Sequence, residues 1–302
     1  MNNAHWIAVD WGTTNLRCWL LNQDNQVIAE RKSDQGGGKL KPEEFEVVLI
    51  NQIQEWLNDR CTQIIACGMV GSKEGWRPVP YKSIPGLPYD NLTRVATLDS
   101  RIDLYICAGM AQSEPAAIMR GEETQLAGFL SVYPNYEGAV CLPGTHSKWT
   151  MIHSSKVVKL ESMLTGELYA LLREHSILSA TLDPDSWCQY TFEKTLNEMN
   201  TGQLNLLPEL FRIRANAILN GDHTTATSRL SALLIGSELL AAREFWASNP
   251  ISIIGSQQIS MHYLRALQIL NADVSLENGD ELTLQGLIEN YKQLTGKEHE
   301  PT

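Results

Sequence analysis

Trp6-Ile7-Ala8-Val9-Asp10-Trp11-Gly12-Thr13-Thr14-Asn15-Leu16-Arg17 is the stretch of this sequence that decides the fold. Its apolar residues 7–9 predict a strand that ends on Asp10, and Gly12, Thr13 and Thr14 predict a tight turn into a second strand. A carboxylate at a strand end, followed by a hydroxylated turn, places a metal-binding oxygen beside backbone N–H groups. This combination suits a nucleotide phosphate that carries Mg²⁺. Taken alone, the stretch suits an ordinary β-hairpin better, so the rest of the chain must decide.

Length, composition and charge limit the class of protein. The 302 residues allow two ordinary domains, and a content of 43% hydrophobic and 20% charged residues indicates a globular enzyme. A net charge of −11, without a dense Lys/Arg cluster, argues against a nucleic-acid partner. We find no apolar run of about eighteen residues and no leader-like N-terminus, so we expect no membrane association and a cytoplasmic location. A homodimer is left open.

The order of predicted elements occurs twice along the chain. A strand, a tight loop, two further strands and a helix begin near residue 6 and again near residue 138. Two copies of one order predict a duplicated α/β fold with a cleft between the copies. We place the domains at residues 1–134 and 135–302, with the last helix free to pack back on the first domain. In the first copy, residues 33–41, which include Gly36, Gly37 and Gly38, are interpreted as a loop.

The pattern Asp-x-Gly-x-Thr-x-x-Arg at residues 10–17 resembles the first phosphate loop of the sugar kinase/hsp70/actin superfamily. The resemblance implies two ribonuclease H-like (actin-like ATPase) domains. A second phosphate loop is expected at the mirror position, where Gly144 allows close approach and Thr145 and His146 supply donors. Superfamily members more often carry an Asp and additional glycines there, which this chain lacks.

The same resemblance implies an adenosine site in the second half of the chain. In such kinases, the turn that contains Gly255 and Ser256 packs near the adenine and ribose. The long helix around Gly236 then supplies the opposite wall, where this glycine is small enough to admit the base. A plain strand-to-helix corner is the competing interpretation of the turn.

Arg120-Gly121-Glu122-Glu123 places two carboxylates at a predicted helix start. As a bare charge pair they would simply complement the helix dipole. They precede the second phosphate loop, however, where the chain is expected to line the cleft. The stretch resembles the Gly-x-Glu-Glu-Ala-Arg-Leu segment of exopolyphosphatases, which supplies their catalytic glutamate. The resemblance implies that Glu122, and second to it Glu123, accepts the proton of an attacking hydroxyl.

A glycine-rich segment at residues 68–76 is the candidate substrate loop. Gly71 gives access to the backbone, Ser72 and Lys73 are able to bind a carboxylate or hydroxyls, and Trp76 is able to stack on a sugar face. A connecting loop with a packing tryptophan is an equal alternative.

Together these motifs identify the chain as resembling the 2-dehydro-3-deoxygalactonokinase family over essentially its whole length. The resemblance implies ATP- and Mg²⁺-dependent phosphorylation of 2-dehydro-3-deoxy-D-galactonate at its terminal hydroxyl, in galactonate breakdown. It implies Mg²⁺ on Asp10, support of the first loop by Arg17, and sugar-acid contacts from Arg120, residues 71–73 and Thr165-Gly166. The motifs that carry it are Val9–Arg17, Gly68–Ser72 with Gly75-Trp76, Arg120–Leu126, Pro143–His146 with Lys148-Trp149, and Thr165–Leu168.

Two alternatives of other classes stay open at this point. An exopolyphosphatase-like hydrolase would use water in place of the sugar hydroxyl, but it needs a basic channel that a net charge of −11 does not favour. A non-catalytic actin-like nucleotide-binding regulator would show no sugar-dependent ATP turnover. Measuring ADP release with and without keto-deoxy sugar acids separates all three hypotheses.

Overall fold

The computed structural model describes residues 5–183 and 185–296, so the outer ends of both predicted domains, 1–4 and 297–302, lie outside the described residues. The chain divides into two compact units. Unit 1 comprises the described residues of Met1–Tyr136, His153–Leu160 and Gly279–Thr302, and unit 2 comprises Glu137–Ile152 and Glu161–Asn278. The predicted division at 134/135 stays a prediction.

Unit 1 is built on a six-stranded sheet. The elements that begin the chain are β1 (Trp6–Trp11), β2 (Leu16–Leu21), β3 (Val27–Ser33), α1 (Phe45–Ile53), β4 (Thr62–Gly68), β5 (Lys82–Ser83), β6 (Leu92–Val95), β7 (Ile102–Cys107), β8 (Met110–Gln112), β9 (Ala117–Met119) and α2 (Glu122–Val132). The six strands lie in the order β3-β2-β1-β4-β7-β6. β1 runs antiparallel to β2 and parallel to β4, with Trp11 opposite Gly68. The loops that follow β1 and β4 therefore leave the sheet at the same edge.

Both faces of this sheet are covered, because alternate residues of a strand point to opposite faces. Ile7 and Val9 of β1 join one core with the apolar side of α1, whereas Trp6 and Ala8 join a second core. The second core includes Tyr291, whose ring stacks on Trp6 at 4.2 Å between centroids. This alternation explains why β1 reads as an almost continuous apolar run.

Unit 2 repeats the antiparallel-then-parallel arrangement. The remaining elements of the chain are β10 (Gly138–Leu142), β11 (Ser147–His153), β12 (Lys156–Met163), α3 (Thr165–His175), α4 (Gln189–Asn200), α5 (Leu206–Asn220), α6 (Ala226–Ala241), α7 (Arg243–Trp246), β13 (Ile251–Gly255), α8 (Gln257–Ile269), β14 (Val274–Asn278) and α9 (Gly279–Thr295). Most of β12 and all of α9 belong to unit 1. The sheet order is β12-β11-β10-β13-β14. β10 runs antiparallel to β11 and parallel to β13, and β13 is parallel to β14.

The mixed α/β class predicted from the sequence is confirmed. Two details differ. The long helix that was predicted around Gly236 is interrupted at Ala242, where the chain turns from α6 into α7. The short strands β5, β6, β8 and β9 were not predicted, since two to four residues carry too little periodicity. Within the described residues, no helix is long and apolar enough to cross a membrane.

Candidate active site

The first phosphate turn of unit 1 carries a partly buried ion pair. Arg17 Nη2 lies 2.7 Å from Asp10 Oδ2, and Arg17 Nη1 lies 2.6 Å from Asp280 Oδ1. The side chains of Asp10 and Arg17 are only 20% and 18% exposed. Because the guanidinium is planar, this contact fixes the orientation of the Asp10 carboxylate. Arg17 thus joins Asp10 at the end of β1 to Asp280, and its role in cofactor binding stays a prediction.

Three consecutive glycines hold this turn from behind. The N–H groups of Gly36, Gly37 and Gly38 donate to the carbonyl oxygens of Thr14, Gly12 and Thr13, at 2.9–3.0 Å. A Cβ on Gly36 would stand 2.2 Å from the carbonyl carbon of Thr14, so no larger residue fits there. The segment interpreted from the sequence as a plain loop is therefore a glycine clamp, residues 36–38.

The clamp occupies the carbonyl side of the turn and leaves its amide side open. Thr13 and Thr14 are exposed, and their backbone N–H groups have no hydrogen-bond partner in the described part of the chain. Exposed N–H groups in a tight turn form a concave anion-binding site. The turn is thus arranged to receive phosphate oxygens.

A second glycine-dependent turn leads into α2. Gly121 has φ +105° and Gly68 has φ +90°, a region that side-chain-bearing residues rarely adopt. A Cβ on Gly121 would lie 3.3 Å from the Cα of Gly68, so the two turns are in close contact. The backbone N–H of Arg120 donates to Glu122 Oε2 at 2.9 Å. This bond fixes the Glu122 carboxylate beside the turn.

The first phosphate turn, the turn after β4 and the turn that leads into α2 border a pocket of 180 Å³, which we call the first-unit pocket. Five residues singled out from the sequence meet there, although they come from separate parts of the chain. The lining residues are Asp10, Gly12, Thr13, Gly68, Met69, Arg120, Gly121, Glu122, Gln125 and Thr283.

The two adjacent glutamates have different surroundings. Glu122 lines the first-unit pocket, whereas Glu123 is 1% exposed and accepts from the N–H of Gly121 at 2.6 Å. Burial, followed by the nearby charge of Glu122, raises the pKa of Glu123 to about 8. Glu123 is therefore mainly protonated at neutral pH and has no direct access to the pocket. The geometry favours Glu122 as the proton acceptor.

Glu123→Gln is expected to change pH-dependent stability more than activity. In the unfolded chain this carboxyl ionises near 4.5, but in the folded chain it keeps its proton up to about pH 8. Its contribution to the free energy of unfolding is therefore full below pH 4.5 and lost as the pH rises through 8. Because Gln stays neutral, the free energy of unfolding of the variant should fall by on the order of 5 kcal/mol less than that of wild type over this window. Urea unfolding of both proteins at several pH values measures this difference. The same dependence of the free energy of unfolding on pH in both proteins would contradict the buried position of Glu123.

Arg120 presents unsatisfied donors beside Glu122. Its guanidinium lies 4.3 Å from the ring centroid of Tyr81, and Nη2 donates to the carbonyl of Val79 at 2.7 Å. Its Nε and Nη1 atoms are buried and have no partner among the described residues. A Cβ on Gly71 would stand 2.7 Å from Nη1, so this glycine makes room for the guanidinium. Arg120 thus keeps two buried nitrogens with hydrogen-bonding capacity that no described residue uses, and unpaired buried donors are costly.

Other residues of the predicted substrate loop have different roles. Trp76 is 6% exposed and packs in the core near Trp11 and Phe45, at 6.5 and 6.4 Å between ring centroids. Its expected stacking on a sugar is therefore corrected to a packing role. Ser72 Oγ is buried without a partner among the described residues, and Ser72 does not line the first-unit pocket. Lys73 is exposed on the surface.

In unit 2, the second phosphate loop is held by the start of α3. The N–H of Glu167 donates to the carbonyl of Thr145 at 2.9 Å, and the Glu167 carboxylate bonds the ring of His146. A Cβ on Gly166 would stand 2.2 Å from the carbonyl oxygen of Gly144. Gly166 is thus required for packing of the loop, whereas Gly144 has open space around its own Cβ position.

A pocket of 330 Å³ adjoins this loop, and we call it the second-unit pocket. It brings together Gly144, Ser256, Thr165 and Gly166, although the first two had been predicted for the cofactor and the last two for the sugar acid. Its lining residues are Gly144, Thr165, Gly166, Tyr169, Arg173, Trp187, Thr227, Ser231, Leu234, Ile235, Ser256, Gln258, Ile259, His262 and Tyr263.

Two predicted glycines of unit 2 serve packing. A Cβ on Gly236 would meet Leu196 and Met199 of α4 at 3.4 Å, so this glycine faces α4 and not the pocket. Ile235 lines the pocket instead, which corrects the expected wall. A Cβ on Gly255 would lie 2.8 Å from Ser260 Oγ, so the corner that precedes α8 leaves little room for a side chain at this position.

A buried carboxylate ties this region together. Glu238 of α6 is 3% exposed, and burial raises its pKa. It accepts hydrogen bonds from Trp149 Nε1 at 2.8 Å and from the hydroxyl of Tyr263 at 2.7 Å. Tyr263 also bonds the hydroxyl of Ser147, at 3.1 Å, at the end of the second phosphate loop. This network fixes the floor of the second-unit pocket.

The donor set of the first-unit pocket fits Mg²⁺ that arrives with phosphates. No group of three or more His, Cys, Asp or Glu side chains able to hold a metal ion exists within residues 5–183 and 185–296. Mg²⁺ does not need one, since it keeps several waters and binds one or two carboxylates with phosphate oxygens. Asp10, beside the open amides of the first turn, is a carboxylate able to bind such an ion, and its role as a metal ligand stays a prediction.

Sequence reasoning missed two kinds of residue near the two pockets. Tyr81, Trp187 and His262 are isolated aromatic residues without a local pattern, and only the fold brings them to a pocket or to Arg120. The glycine clamp did carry a signal, because three consecutive glycines are rarely needed in a plain loop. Its long-range partner could not be deduced from spacing.

Comparisons with known proteins bear on the whole chain. A family model described as 2-keto-3-deoxy-galactonokinase matches residues 10–290. A 2-dehydro-3-deoxygalactonokinase of Escherichia coli (strain K12) is 32% identical over 287 residues, which cover 94% of this chain and 96% of the relative.

Solved structures agree with this match. A candidate 2-dehydro-3-deoxygalactonokinase from Sinorhizobium meliloti superposes with a TM-score of 0.88 and 29% identity, over 98% of this chain and 99% of the other. The activator of the 2-hydroxyisocaproyl-CoA dehydratase from Clostridium difficile, solved with bound ADPNP, has a TM-score of 0.52 at 9% identity, over 99% and 100% of the chains. The second likeness shows a shared fold alone.

Proposed function

This chain belongs to the 2-keto-3-deoxy-galactonokinase family and is a kinase of 2-dehydro-3-deoxygalactonate, and from that premise we propose how its two pockets divide the reaction. The first-unit pocket binds the sugar acid and the reacting phosphoryl group, and the second-unit pocket binds ATP. The phosphoryl group is transferred to the terminal hydroxyl of the sugar acid. Membership in the family does not favour the hydrolase or the regulator considered above.

The observation that carries this proposal is the pairing of Arg120 with Glu122 in one small pocket. Arg120 has two buried nitrogens without a partner among the described residues, and Glu122 stands two residues away with its carboxylate held by the Arg120 N–H. A sugar acid has one anionic end and one hydroxyl end. The pocket therefore offers a cation for the carboxylate and a base for a hydroxyl, which are the two groups that such a substrate needs.

The chemical step follows from these positions. The oxygen of the terminal hydroxyl attacks the γ-phosphorus, a new P–O bond forms, and the bond from that phosphorus to the bridging oxygen of ATP breaks. The hydroxyl proton passes to Glu122, and ADP leaves with the bridging oxygen. Glu123 does not take part directly; as a neutral buried acid it holds the N–H of Gly121 and so fixes the turn.

The first phosphate turn supplies electrostatic stabilisation. The open N–H groups of Thr13 and Thr14 are directed by the glycine clamp, so they need no reorganisation to receive phosphate oxygens. Asp10 would hold Mg²⁺ through water. The ion, when bound, neutralises part of the charge on the phosphates.

The second-unit pocket is assigned to ATP because a phosphate loop and a helix start both border it. Gly144 leaves open space at the loop, and Ser256 directly precedes α8. Thr165 and Gly166, which the family resemblance implied for the sugar acid, border the same pocket, so we reassign them to ATP. The pocket volume of 330 Å³ lies within the usual range for small-molecule sites.

We further propose that the two units are copies of one ancestral domain. The six-stranded sheet contains β3-β2-β1-β4-β7 and the five-stranded sheet consists of β12-β11-β10-β13-β14, so the central strand has the same kinds of neighbour in each. In both, a parallel strand follows on one side and an antiparallel hairpin on the other. The proposal rests on this shared order.

Arg120→Ala is expected to raise the KM for the sugar acid roughly 10- to 100-fold, with a much smaller change in kcat and in the KM for ATP. The reason is that a charge-assisted hydrogen bond to the carboxylate is lost while Glu122 and the first phosphate turn remain. Steady-state kinetics with each substrate varied in turn measures the effect. Arg120→Lys keeps the charge but loses the planar guanidinium, so its KM for the sugar acid should lie between those of wild type and Arg120→Ala.

An analogue in which an alcohol replaces the carboxylate provides the control. Wild-type enzyme should discriminate strongly against it, and Arg120→Ala should not. A thermal unfolding curve checks that the variant is folded, since Arg120 also packs on Tyr81. A rise in the KM for ATP alone would place Arg120 on the nucleotide and overturn the assignment.

A further inference from the structure

One wall of the second-unit pocket is aromatic. Trp187 and His262 both line the pocket, with ring centroids 4.4 Å apart and planes inclined by 36°. Phe192, which is fully buried, lies 5.2 Å from Trp187 and 5.8 Å from His262 and supports both rings from behind. Trp187 itself remains 40% exposed, an unusual state for so large an apolar ring.

We propose that Trp187, supported by His262 and Phe192, stacks on the purine ring of the nucleotide and gives the enzyme its affinity for the base. The inference rests on the proposed placement of ATP in the second-unit pocket and goes beyond it, because it names what recognises the base. Trp187 comes from the segment just before α4, and His262 from α8, so neither the phosphate loop nor the first-unit pocket contributes to this wall.

The chemistry of the wall suits a neutral heteroaromatic ring. Burial lowers the pKa of His262, so its imidazole is uncharged at neutral pH and offers an aromatic face. The Trp187 indole N–H is already bonded to Gln189 Oε1 at 3.0 Å, so the indole contributes its face and not a hydrogen bond. Stacking on an aromatic side chain contributes affinity for any base.

The rest of the pocket explains why the base, and not the phosphates, belongs beside Trp187. Leu234, Ile235 and Ile259 continue the apolar surface, while Gln258 supplies an amide able to pair with a base edge. The loop glycine, Gly144, also borders the pocket and is suited to phosphate. An elongated ligand with a phosphate end and an aromatic end matches these two kinds of lining.

The test compares ligands with and without a base. Isothermal titration calorimetry measures the binding of MgADP and of magnesium tripolyphosphate to wild type, Trp187→Ala, Trp187→Phe and Tyr190→Ala. Tyr190 is the matched control, because it is a 73% exposed aromatic residue of α4 outside the pocket lining. We expect Trp187→Ala to weaken MgADP roughly 5- to 30-fold and to leave tripolyphosphate unchanged. Trp187→Phe and Tyr190→Ala should stay within about threefold of wild type for both ligands.

A further variant separates failure of this inference from failure of the nucleotide placement. Ser256→Phe places a large side chain in the pocket at the start of α8. This variant should abolish MgADP binding whether or not Trp187 stacks on the base. If Ser256→Phe loses binding and Trp187→Ala does not, the nucleotide placement stands and the stacking is wrong. If neither variant changes MgADP binding, the nucleotide lies elsewhere and both proposals fail.

Two other outcomes are decisive as well. An equal loss of affinity for MgADP and for tripolyphosphate in Trp187→Ala would overturn the stacking. Loss of a contact to the base cannot weaken the binding of a ligand that has no base. If Trp187→Ala does not fold, Trp187→Leu keeps an apolar side chain against Phe192 and should show the same base-specific loss. Unchanged MgADP binding in a folded Trp187→Leu variant would overturn the inference.

Discussion

Glu122→Gln is expected to lower kcat by roughly 10²- to 10⁴-fold, while the sugar acid still binds. Gln has nearly the same shape and can still accept the N–H of Arg120, so the turn should stay in place. It cannot accept the proton of the attacking hydroxyl, however, and the oxygen then attacks as a weaker nucleophile. Single-turnover kinetics separates this loss from binding, which calorimetry with the sugar acid measures directly.

Glu123→Gln is the matched control, since it makes the same chemical change one residue away in a fully buried position. It should retain turnover within about tenfold of wild type, because a protonated Glu123 and a Gln differ little in charge. An active Glu122→Gln with an inactive Glu123→Gln would show that the glutamates were assigned in the wrong order.

If neither glutamate matters, the base lies elsewhere, and Asp183 or Asp185 would be tested next. Asp183 is a poor substitute on structural grounds. Its carboxylate accepts the hydroxyl of Ser186 and the N–H of Asp185, and these bonds lower its pKa. A carboxylate that is already committed to a turn and more acidic than usual is a weaker base.

Asp10→Asn is expected to lower kcat by roughly 10²-fold or more and to raise the Mg²⁺ concentration needed for half-maximal rate. The carboxylate provides the anionic contact for Mg²⁺, and it also orients the turn through Arg17. A kinetic titration with Mg²⁺ at saturating ATP and sugar acid measures both effects.

Asp280→Asn separates the two roles of Asp10. It removes the other ion pair of Arg17, at 2.6 Å, but Asp280 does not line the first-unit pocket. The Asp280 variant should therefore keep its Mg²⁺ dependence and most of its turnover. Near-normal turnover in Asp10→Asn would contradict the interpretation of this stretch as a phosphate turn.

The sequence predicted the repeated strand order well, because each long strand is marked by both composition and a following turn. β1 is apolar throughout since both of its faces are covered, and its end is marked by Asp10 and Gly12. Residues of the first-unit pocket were also identified, because their motifs are compact in sequence. Their roles in catalysis remain predictions.

Roles that depend on distant contacts could not be deduced. Whether Trp76 faces a ligand or the core is decided by Trp11 and Phe45, which are far away in sequence. Gly236 and Gly255 looked like ligand-facing glycines, but Gly236 faces α4, and a Cβ on Gly255 would lie only 2.8 Å from Ser260 Oγ. Glu122 and Glu123 are adjacent and identical in type, so only their burial distinguishes a pocket carboxylate from a buried neutral acid.

Phosphorus NMR of the reaction mixture tests the central claim most directly. With ATP, Mg²⁺ and 2-dehydro-3-deoxygalactonate, we expect ADP and one new phosphate monoester in equal amounts. Coupling of its phosphorus to the two protons of the terminal carbon would place the phosphate on the terminal hydroxyl, and almost no free phosphate should form. ADP that accumulates with free phosphate, equally with or without the sugar acid, would contradict the kinase; a monoester on another carbon would contradict the position.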